Sequence, residues 1–293
     1  MKETVKTWTV LDILKVTEAA FRERGIMNPR LNAELLLADT TGDSRINLYL
    51  NFEKPLTENE VSGYRDKVKR RLKFEPLQYI RGKTEFYSLE FRVTPDVLIP
   101  RQETEILVEK VLEYIKVSGI ECPKILEIGT GSGCISIAIA ANAECSISAF
   151  DISNEAVKVA ELNAAANGTG EKVKFDVKDF FDPEVTFEGF DIIVSNPPYI
   201  PYCEQSKMSI STVLHEPDIA LFVQDETPLL FYERIAIVAT QHLKANGMLY
   251  FELNEFNAVE VQYLLEKIGF SNVEIRKDLS DKNRMMRAQF ISK

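Results

Sequence analysis

Regular alternation of strand and helix patterns from residue 103 onward constrains the fold more than any other feature of this sequence. Short apolar runs predict strands at residues 124–128, 146–150, 173–177, 190–195 and 248–253. Amphipathic stretches predict helices at residues 106–117, 135–141, 155–166, 228–243 and 257–267. Strands separated by helices are typical of an α/β fold with a parallel sheet. Two further predicted strands, 272–276 and 285–291, lie close enough in sequence to form an antiparallel pair.

The first 75 residues have a different pattern, with apolar residues at helical spacing and no strand alternation. Asn28 and Pro29 suit the start of a helix, as its cap and its first residue. Thr57 and Glu60 have the spacing of a capping box, and Gly25 suits a helix end. We therefore predict a small all-helical N-terminal domain at residues 1–75.

Residues 76–100 differ from the sequence on either side and are predicted to form a β-hairpin linker. Apolar residues alternate at Leu89, Phe91 and Val93, as in a half-buried strand. Pro95 and Pro100 mark the end of the segment. The α/β domain is then expected to occupy residues 101–293.

Charge is distributed unevenly between these regions. Residues 1–75 hold 14 basic and 12 acidic residues, whereas residues 76–293 hold 21 basic and 33 acidic ones. The net charge of −10 argues against a protein that binds mainly to the nucleic-acid backbone, because such affinity comes from neutralising phosphates. The basic run at residues 65–73 is either a solvated helix face or a docking surface for an acidic or RNA-associated partner.

Composition argues against several other classes of protein. No run of about 18 apolar residues is present, so no membrane span is expected. The charged residues 1–6 lack the apolar core of a secretory signal. Four cysteines and two histidines lack metal-ligand spacing. We therefore expect free thiols, no metal site and a reducing cytoplasm, and we expect a monomer because nothing in the sequence demands a dimer.

A glycine-rich turn follows the first predicted strand of the α/β region. Its residues are Gly129, Thr130, Gly131, Ser132 and Gly133. Glycine lets the backbone turn sharply and lets a ligand approach where no Cβ is in the way. The spacing differs from both the dinucleotide fingerprint and the phosphate-binding P-loop. We interpret the turn as a site for a nucleoside-type ligand, with a merely tight strand–helix turn as the alternative.

Acidic residues follow the next two predicted strands. Asp151 ends the second strand, where its carboxylate can accept hydrogen bonds from both hydroxyls of a ribose. Asp179 follows the third strand and can accept one from an adenine amino group, and the ring of Phe180 can cover the base. The alternative roles are a turn or helix cap for Asp151 and a loop cap for Asp179.

The segment Ser195-Asn196-Pro197-Pro198-Tyr199, at the end of the fourth predicted strand, is the most specific signal in the sequence. The prolines fix φ and remove backbone donors, which leaves a surface rich in acceptors. The Asn196 side-chain oxygen and the Pro197 carbonyl can accept both hydrogens of a planar amino group, on which the Tyr199 ring can stack. We therefore predict a site that holds an amide or arylamine nitrogen against an electrophile.

Together with the glycine turn and Asp151, this motif resembles that of class I S-adenosylmethionine-dependent methyltransferases acting on planar nitrogens. Residues 78–80, 85–91 and 97–105, the helical domain and Glu216-Pro217 more closely resemble the glutamine methyltransferases of peptide-chain release factors. The resemblance covers nearly the whole chain. This sequence departs from the family pattern at Gln102, Glu127 and Val223-Gln224, where proline, aspartate and glycines are usual.

The resemblance implies a Rossmann-like class I methyltransferase sheet and S-adenosylmethionine as donor, with S-adenosylhomocysteine as product. It also implies release factors as protein partners, with a Gly-Gly-Gln tripeptide as the target and the helical domain gripping the substrate. The donor is expected to contact residues 129–133, Asp151, Asp179, Phe180 and Asn196. The acceptor glutamine is expected to contact Asn196, Pro197, Pro198 and Tyr199, of which Asn196, Pro197 and Tyr199 are the predicted catalytic residues. Glu216 is a further candidate for substrate contact, with a solvated surface charge as the alternative.

Two other functions remain open on the sequence. A nucleic-acid adenine N6-methyltransferase would use the same Asn-Pro-Pro-Tyr chemistry, but it normally needs a basic region for base recognition, and the acidic balance of residues 76–293 argues against one. A non-enzymatic assembly factor that keeps the fold is disfavoured by the intact glycine turn and the intact Asn-Pro-Pro-Tyr segment. The residues themselves indicate methyl transfer to a planar nitrogen, and the family resemblance implies glutamine N5-methylation, with no direct nucleic-acid substrate expected.

Overall fold

The computed structural model describes residues 7–182 and 189–291. Residues 1–6, on which the expected lack of a secretory signal rests, lie outside the described residues. The chain divides into two compact units. One unit contains the residues up to Gly82 together with Ser209–His215, and the other contains Lys83–Met208 and the chain from Glu216 onward. No helix in the described residues is long and apolar enough to cross a membrane.

The N-terminal unit consists, in its described residues, of helices and the loops that join them. The helices are α1 (Val10–Glu23), α2 (Pro29–Thr41), α3 (Arg45–Leu50), α4 (Glu58–Leu72), α5 (Leu77–Arg81) and, from later in the chain, α9 (Ile210–His215). Their apolar faces enclose a core that includes Leu14, Phe21 and Leu37. The helical unit continues beyond the predicted boundary at residue 75 because α5 buries Tyr79 and Ile80.

Local sequence signals explain where two of these helices begin. The capping box predicted for α4 is confirmed, since Thr57 N donates to the Glu60 carboxylate at 2.7 Å and Glu60 N donates to Thr57 Oγ1 at 3.3 Å. Pro29 is the first residue of α2, as predicted. The predicted side-chain cap by Asn28 is wrong, because Asn28 has a left-handed backbone with φ of 51° and its side chain makes no capping hydrogen bond. A capping side chain reaches the helix amides from an extended backbone.

The second unit contains the remaining elements. Its strands are β1 (Lys83–Phe86), β2 (Leu89–Arg92), β3 (Lys124–Ile128), β4 (Ser146–Asp151), β5 (Val173–Val177), β6 (Phe190–Ser195), β7 (Ile200–Pro201), β8 (Phe222–Val223), β9 (Leu243–Glu252), β10 (Phe270–Lys277) and β11 (Asn283–Phe290). Its helices are α6 (Glu105–Ser118), α7 (Cys134–Asn142), α8 (Asn154–Ala166), α10 (Asp218–Leu221), α11 (Leu230–His242) and α12 (Ala258–Ile268). Short 3-10 helices span Gln102–Thr104 and Tyr202–Lys207.

Across the described residues, seven strands form one sheet in the order β10-β11-β9-β6-β3-β4-β5. The neighbours from β9 to β5 pair in parallel, whereas β11 is antiparallel to both β9 and β10. Adjacent residues of β3 face opposite sides: Ile125 packs in a cluster with residues of α6 and α7, and Leu126 packs in a cluster with residues of α11 and α12. Both faces of the sheet are therefore covered by helices, and the predicted α/β fold with its antiparallel pair is confirmed.

The segment before α6 is fixed to the body of the second unit. Strands β1 and β2 form an antiparallel hairpin, and Phe86 and Phe91 belong to the same apolar cluster as residues of α6. Asn163 of α8 accepts a hydrogen bond from Arg92 N at 2.7 Å and donates one to Arg92 O at 3.0 Å. The same Asn163 amide donates to Ser132 O at 2.9 Å, so one buried side chain joins the hairpin to the glycine turn.

Candidate active site

The strand order reverses at β3, which lies between β4 and β6. In open α/β sheets, ligands bind beyond the carboxyl ends of the strands at such a reversal. Gly129, Asp151 and Asn196 follow or end these three strands. The topology therefore gathers, at one edge of the sheet, three residues that are far apart in sequence.

A cavity of about 240 Å³ lies at this edge. Its lining includes the predicted residues Gly129, Thr130, Gly131, Ser132, Asp151, Asp179, Phe180, Asn196 and Pro198. Four other predicted residues, Gly133, Pro197, Tyr199 and Glu216, are not among its described lining residues. The structure thus brings most of the predicted site residues together at one cavity.

The glycine turn has a backbone that other residues rarely adopt. Gly129 and Gly131 have φ of +75° and +54°, and a Cβ at either position would meet no heavy atom within 4 Å. Gly133 has φ of +79°, and its Cβ would lie 2.9 Å from Ile137 Cδ1 and 3.1 Å from Ala160 Cβ. The first two glycines therefore shape the turn, while the third also allows α7 to pack closely on α8.

Asp151 organises the turn from the end of β4. One carboxylate oxygen accepts a hydrogen bond from Gly131 N and the other accepts one from Ser153 N, each at 2.9 Å. Each carboxylate oxygen has two lone pairs, so both keep capacity for a further donor. The side chain lines the cavity, where a ligand hydroxyl can supply that donor.

Glu127 lies buried beneath the turn, with no exposed surface. Its Oε2 accepts hydrogen bonds from the hydroxyls of Thr130, at 2.7 Å, and Ser136. Its Oε1 has no partner among the described residues. Burial raises the pKa of Glu127 to about 7, against the lowering effect of these hydroxyls. The buried oxygen therefore keeps an unmet capacity for a hydrogen bond, although Glu127 is not among the described lining residues of the cavity.

Three phenylalanines line one part of the cavity, and two of them were not predicted from the sequence. The ring centroid of Phe180 lies 4.5 Å from that of Phe181 and 6.0 Å from that of Phe231. Such a cluster can cover a flat aromatic ligand. The adjacent Phe180-Phe181 pair was a usable signal, but nothing in the sequence places Phe231 of α11 beside it.

The Asn-Pro-Pro-Tyr segment leaves β6 next to the glycine turn. The Ser195 hydroxyl, which is fully buried, donates to Ile128 O at 2.7 Å and joins the ends of β6 and β3. The neighbouring Asn196 lines the cavity, and its side chain hydrogen-bonds no described residue. Its amide is therefore available to a ligand.

Tyr199 is held in place at both its hydroxyl and its carbonyl. Its hydroxyl donates to Glu252 Oε1 at 2.9 Å, and its carbonyl accepts a hydrogen bond from Asn254 Nδ2 at 3.2 Å. Burial and the nearby Glu252 carboxylate raise the pKa of Tyr199 well above its usual range. Tyr199 therefore remains a neutral hydroxyl donor, and Glu252 is a site residue that the sequence analysis missed.

Glu216 has partners within the second unit. Its Oε2 accepts a hydrogen bond from Ile99 N at 3.1 Å, and its Oε1 pairs with the Arg101 guanidinium at 2.6 Å. The side chain is 5% exposed, so the alternative of a solvated surface charge is wrong. Arg101 lines the cavity, so Glu216 fixes part of the cavity wall, and its direct contact with a substrate stays a prediction.

Comparisons with known proteins agree with this fold. Residues 123–286 match a family described as a methyltransferase domain, and residues 12–82 match the PrmC N-terminal domain. The catalytic domain of hMettl16 has a TM-score of 0.55 at 16% identity and covers 77% of this chain and 82% of its own. A 16S rRNA N2 G1207 methyltransferase of T. thermophilus has a TM-score of 0.52 at 18% identity, covering 71% of this chain and 49% of its own. These two likenesses concern the fold alone, and the family match over residues 123–286 identifies that domain as a methyltransferase domain.

Curated relatives define the family more narrowly. A release factor glutamine methyltransferase of Chlorobaculum tepidum is 39% identical over 95% of this chain and 96% of its own length. Another, from Leptospira interrogans, is 38% identical over 95% of this chain and 97% of its own. This chain belongs to the release factor glutamine methyltransferase family.

Proposed function

We propose that this protein transfers the methyl group of S-adenosylmethionine to the side-chain amide nitrogen of a glutamine in a peptide-chain release factor. One observation carries the proposal: the unpaired side chain of Asn196 lines the same cavity as the glycine turn and Asp151. That arrangement supports binding of a planar amide beside a nucleoside-type donor. Membership of the family supports the choice of a glutamine as acceptor.

The residues around the cavity fit S-adenosylmethionine. Asp151 supplies acceptors for ribose hydroxyls, Asp179 an acceptor for an adenine amino group, and Phe180 a ring to cover the base. Both carboxylate oxygens of Asp151 keep capacity for a further donor at the cavity, as the two ribose hydroxyls require. When bound, S-adenosylmethionine supplies an electrophilic methyl carbon that needs no metal.

The Asn-Pro-Pro-Tyr segment is proposed to bind the glutamine amide and to make its nitrogen reactive. An amide nitrogen is a weak nucleophile because its lone pair is delocalised. We propose that the Asn196 side-chain oxygen and the Pro197 carbonyl accept the two amide hydrogens, with Pro198 shaping the pocket and the Tyr199 ring against the amide plane. These contacts orient the nitrogen and stabilise positive charge as it develops there. The Asn-Pro-Pro-Tyr segment offers no general base, so the proton is proposed to leave to water.

The helical unit is proposed to recognise the protein substrate through contacts away from the reactive amide. Remote binding energy of this kind positions the reacting group. We also propose that the protein works as a monomer in the cytoplasm. Cys122, Cys134, Cys145 and Cys203 are all free, which suits a reducing compartment.

The test offers tritiated S-adenosylmethionine to purified release factor and, in separate reactions, to DNA and ribosomal RNA. The expected result is label in the release factor alone. In the variant Asn196→Ala, the rate of methyl transfer should fall about 10²- to 10³-fold, because the variant lacks a positioned polar contact. Its calorimetric affinity for S-adenosylhomocysteine should change little. The matched control is Asn154→Ala, an exposed asparagine of the same unit outside the cavity lining, which should behave as wild type.

Two outcomes would contradict the proposal. Label in nucleic acid with none in release factor would replace the glutamine with an adenine acceptor. A fall in donor affinity as large as the fall in rate would make Asn196 mainly a donor ligand.

A further inference from the structure

A buried carboxylate behind the Asn-Pro-Pro-Tyr segment has no part in the mechanism described above. Glu252 is the last residue of β9 and is 2% exposed. Its Oε1 accepts a hydrogen bond from the Tyr199 hydroxyl at 2.9 Å, and its Oε2 accepts one from the Thr104 hydroxyl at 2.5 Å. Both oxygens have a partner, so this side chain joins two segments that are far apart in sequence.

The two partners belong to different parts of the site. Tyr199 ends the segment proposed to bind the acceptor amide, whereas Thr104, at the start of α6, lines the cavity proposed to hold the donor. Tyr199 is also held at its carbonyl, which accepts a hydrogen bond from Asn254 Nδ2. Tyr232 fixes the same stretch, because its hydroxyl donates to Glu252 O at 3.0 Å and accepts from Asn254 N at 3.3 Å.

The surroundings make a carboxylate a costly choice at this position. The neighbours of Glu252 in sequence, Phe251 and Leu253, are fully buried and belong to the apolar cluster that packs against α11 and α12. Burial raises the pKa of Glu252, and the hydrogen bonds from Thr104 and Tyr199 oppose that rise. An apolar residue of similar size would avoid the desolvation cost. The network therefore contributes more to the orientation of its partners than to stability.

We propose that Glu252 is a positioning residue for methyl transfer, which holds the Tyr199 ring at a fixed place relative to the cavity wall at Thr104. The inference rests on the proposed function, because that function assigns the acceptor amide to the Asn-Pro-Pro-Tyr segment. Glu252 touches neither reactant and acts through Tyr199. Two acceptor oxygens on one rigidly packed group are well suited to fixing two hydroxyls at once.

Three variants separate orientation from folding. Glu252→Leu keeps the volume and removes both acceptors, so kcat on intact release factor should fall about 10- to 100-fold, as expected from a displaced reacting group. Glu252→Gln keeps an oxygen for the Tyr199 hydroxyl and offers an N–H to the Thr104 hydroxyl, so it should retain most of kcat. Tyr199→Phe removes only the hydrogen bond to Glu252 Oε1, so kcat should also fall, by no more than in Glu252→Leu.

The donor side supplies a readout that does not depend on turnover. Calorimetric affinity for S-adenosylhomocysteine should stay within about twofold of wild type in all three variants, so that the change is in kcat and not in donor binding. The double variant Tyr199→Phe, Glu252→Leu should lose no more than Glu252→Leu alone, because that single variant already lacks the hydrogen bond to Tyr199.

Several results would overturn this role. They are full kcat in Tyr199→Phe, an equal loss in Glu252→Gln and Glu252→Leu, or losses that multiply in the double variant. If Glu252→Leu does not fold, two results would still overturn the role of Glu252. They are full kcat in Tyr199→Phe, or a kcat loss in Glu252→Gln as large as that in Tyr199→Phe. Rates are compared on whichever acceptor the wild-type enzyme methylates. A wild type that is inactive on release factor therefore refutes the proposed function, while the Glu252 ratios remain measurable on that other acceptor.

Discussion

Replacing Asp151 with alanine tests how the end of β4 contributes to donor binding. The carboxylate accepts hydrogen bonds from Gly131 N and Ser153 N, each at 2.9 Å, and it lines the cavity. In the Asp151→Ala variant, the ribose hydroxyls lose a charged acceptor and the glycine turn loses the group that holds it. Hydrogen bonds to a charged group contribute about 1.5–3 kcal/mol each, and the side chain is only partly buried, so a loss near 2–3 kcal/mol is expected.

This loss corresponds to a rise of roughly 30- to 140-fold in the dissociation constant for S-adenosylhomocysteine. Isothermal titration calorimetry on the purified full chain measures it directly. Glu155→Ala is the matched control, because Glu155 is an acid close in sequence whose side chain is 56% exposed and pairs with Lys158. Asp151→Asn keeps one acceptor oxygen, so its dissociation constant should lie between those of Asp151→Ala and Glu155→Ala. Unchanged affinity in Asp151→Ala would refute the ribose assignment and leave Asp151 as a brace for the turn alone.

Three further predictions concern charge, titration and packing. Arg71→Glu should lower the free energy of unfolding by about 2–3 kcal/mol, because Arg71 donates to Asn32 Oδ1 at 2.8 Å and to Glu75 O at 2.9 Å. The control Lys69→Glu should change the free energy of unfolding by less than about 0.5 kcal/mol, because the Lys69 side chain is 71% exposed. Urea denaturation compares the two, and equal effects would contradict the structural role of Arg71. Glu127 has a pKa raised from 4.5 to about 7, so the folded ligand-free protein binds a proton that the unfolded chain has lost, and stability should fall as pH rises between these values. Thermal melts of Glu127→Gln across that range should show a flatter dependence, and an unchanged slope would assign the dependence to other groups. Gly133→Ala should destabilise the fold by about 1–3 kcal/mol because of its positive φ and its approach to Ala160, and a wild-type melting temperature would contradict that packing.

The sequence predicted the features that depend on local chemistry. The alternation of strands and helices predicted the α/β fold, because a buried parallel strand and an amphipathic helix each have their own periodicity. The capping box at Thr57 and Glu60 forms as predicted, since its hydrogen bonds join residues three apart. The glycine turn, Asp151 and Asn196 reach one cavity because each lies at the end of a parallel strand.

The features that the sequence did not predict depend on contacts between distant residues. Helix α9 packs in the helical unit, where Ser211 Oγ donates to Phe74 O at 2.6 Å across a large separation in sequence. The sequence left open a solvated helix face for the basic run at residues 65–73, yet Arg71 is hydrogen-bonded within the unit whereas Lys69 is exposed. Glu252 carries no local signal, because its partners Tyr199 and Thr104 lie in other elements. Periodicity and motif spacing describe single elements and do not report such pairings.

Locating the transferred methyl group is the most direct test of the proposed activity. Full-length release factor is incubated with the enzyme and S-adenosylmethionine, then digested and sequenced by tandem mass spectrometry, with Asn196→Ala as the inactive control. We expect a single methyl group on the side-chain amide nitrogen of the glutamine in the Gly-Gly-Gln tripeptide, present with wild-type enzyme and missing with the variant. A methyl group on another residue, or none on the release factor while an adenine in nucleic acid is methylated, would contradict the proposed activity.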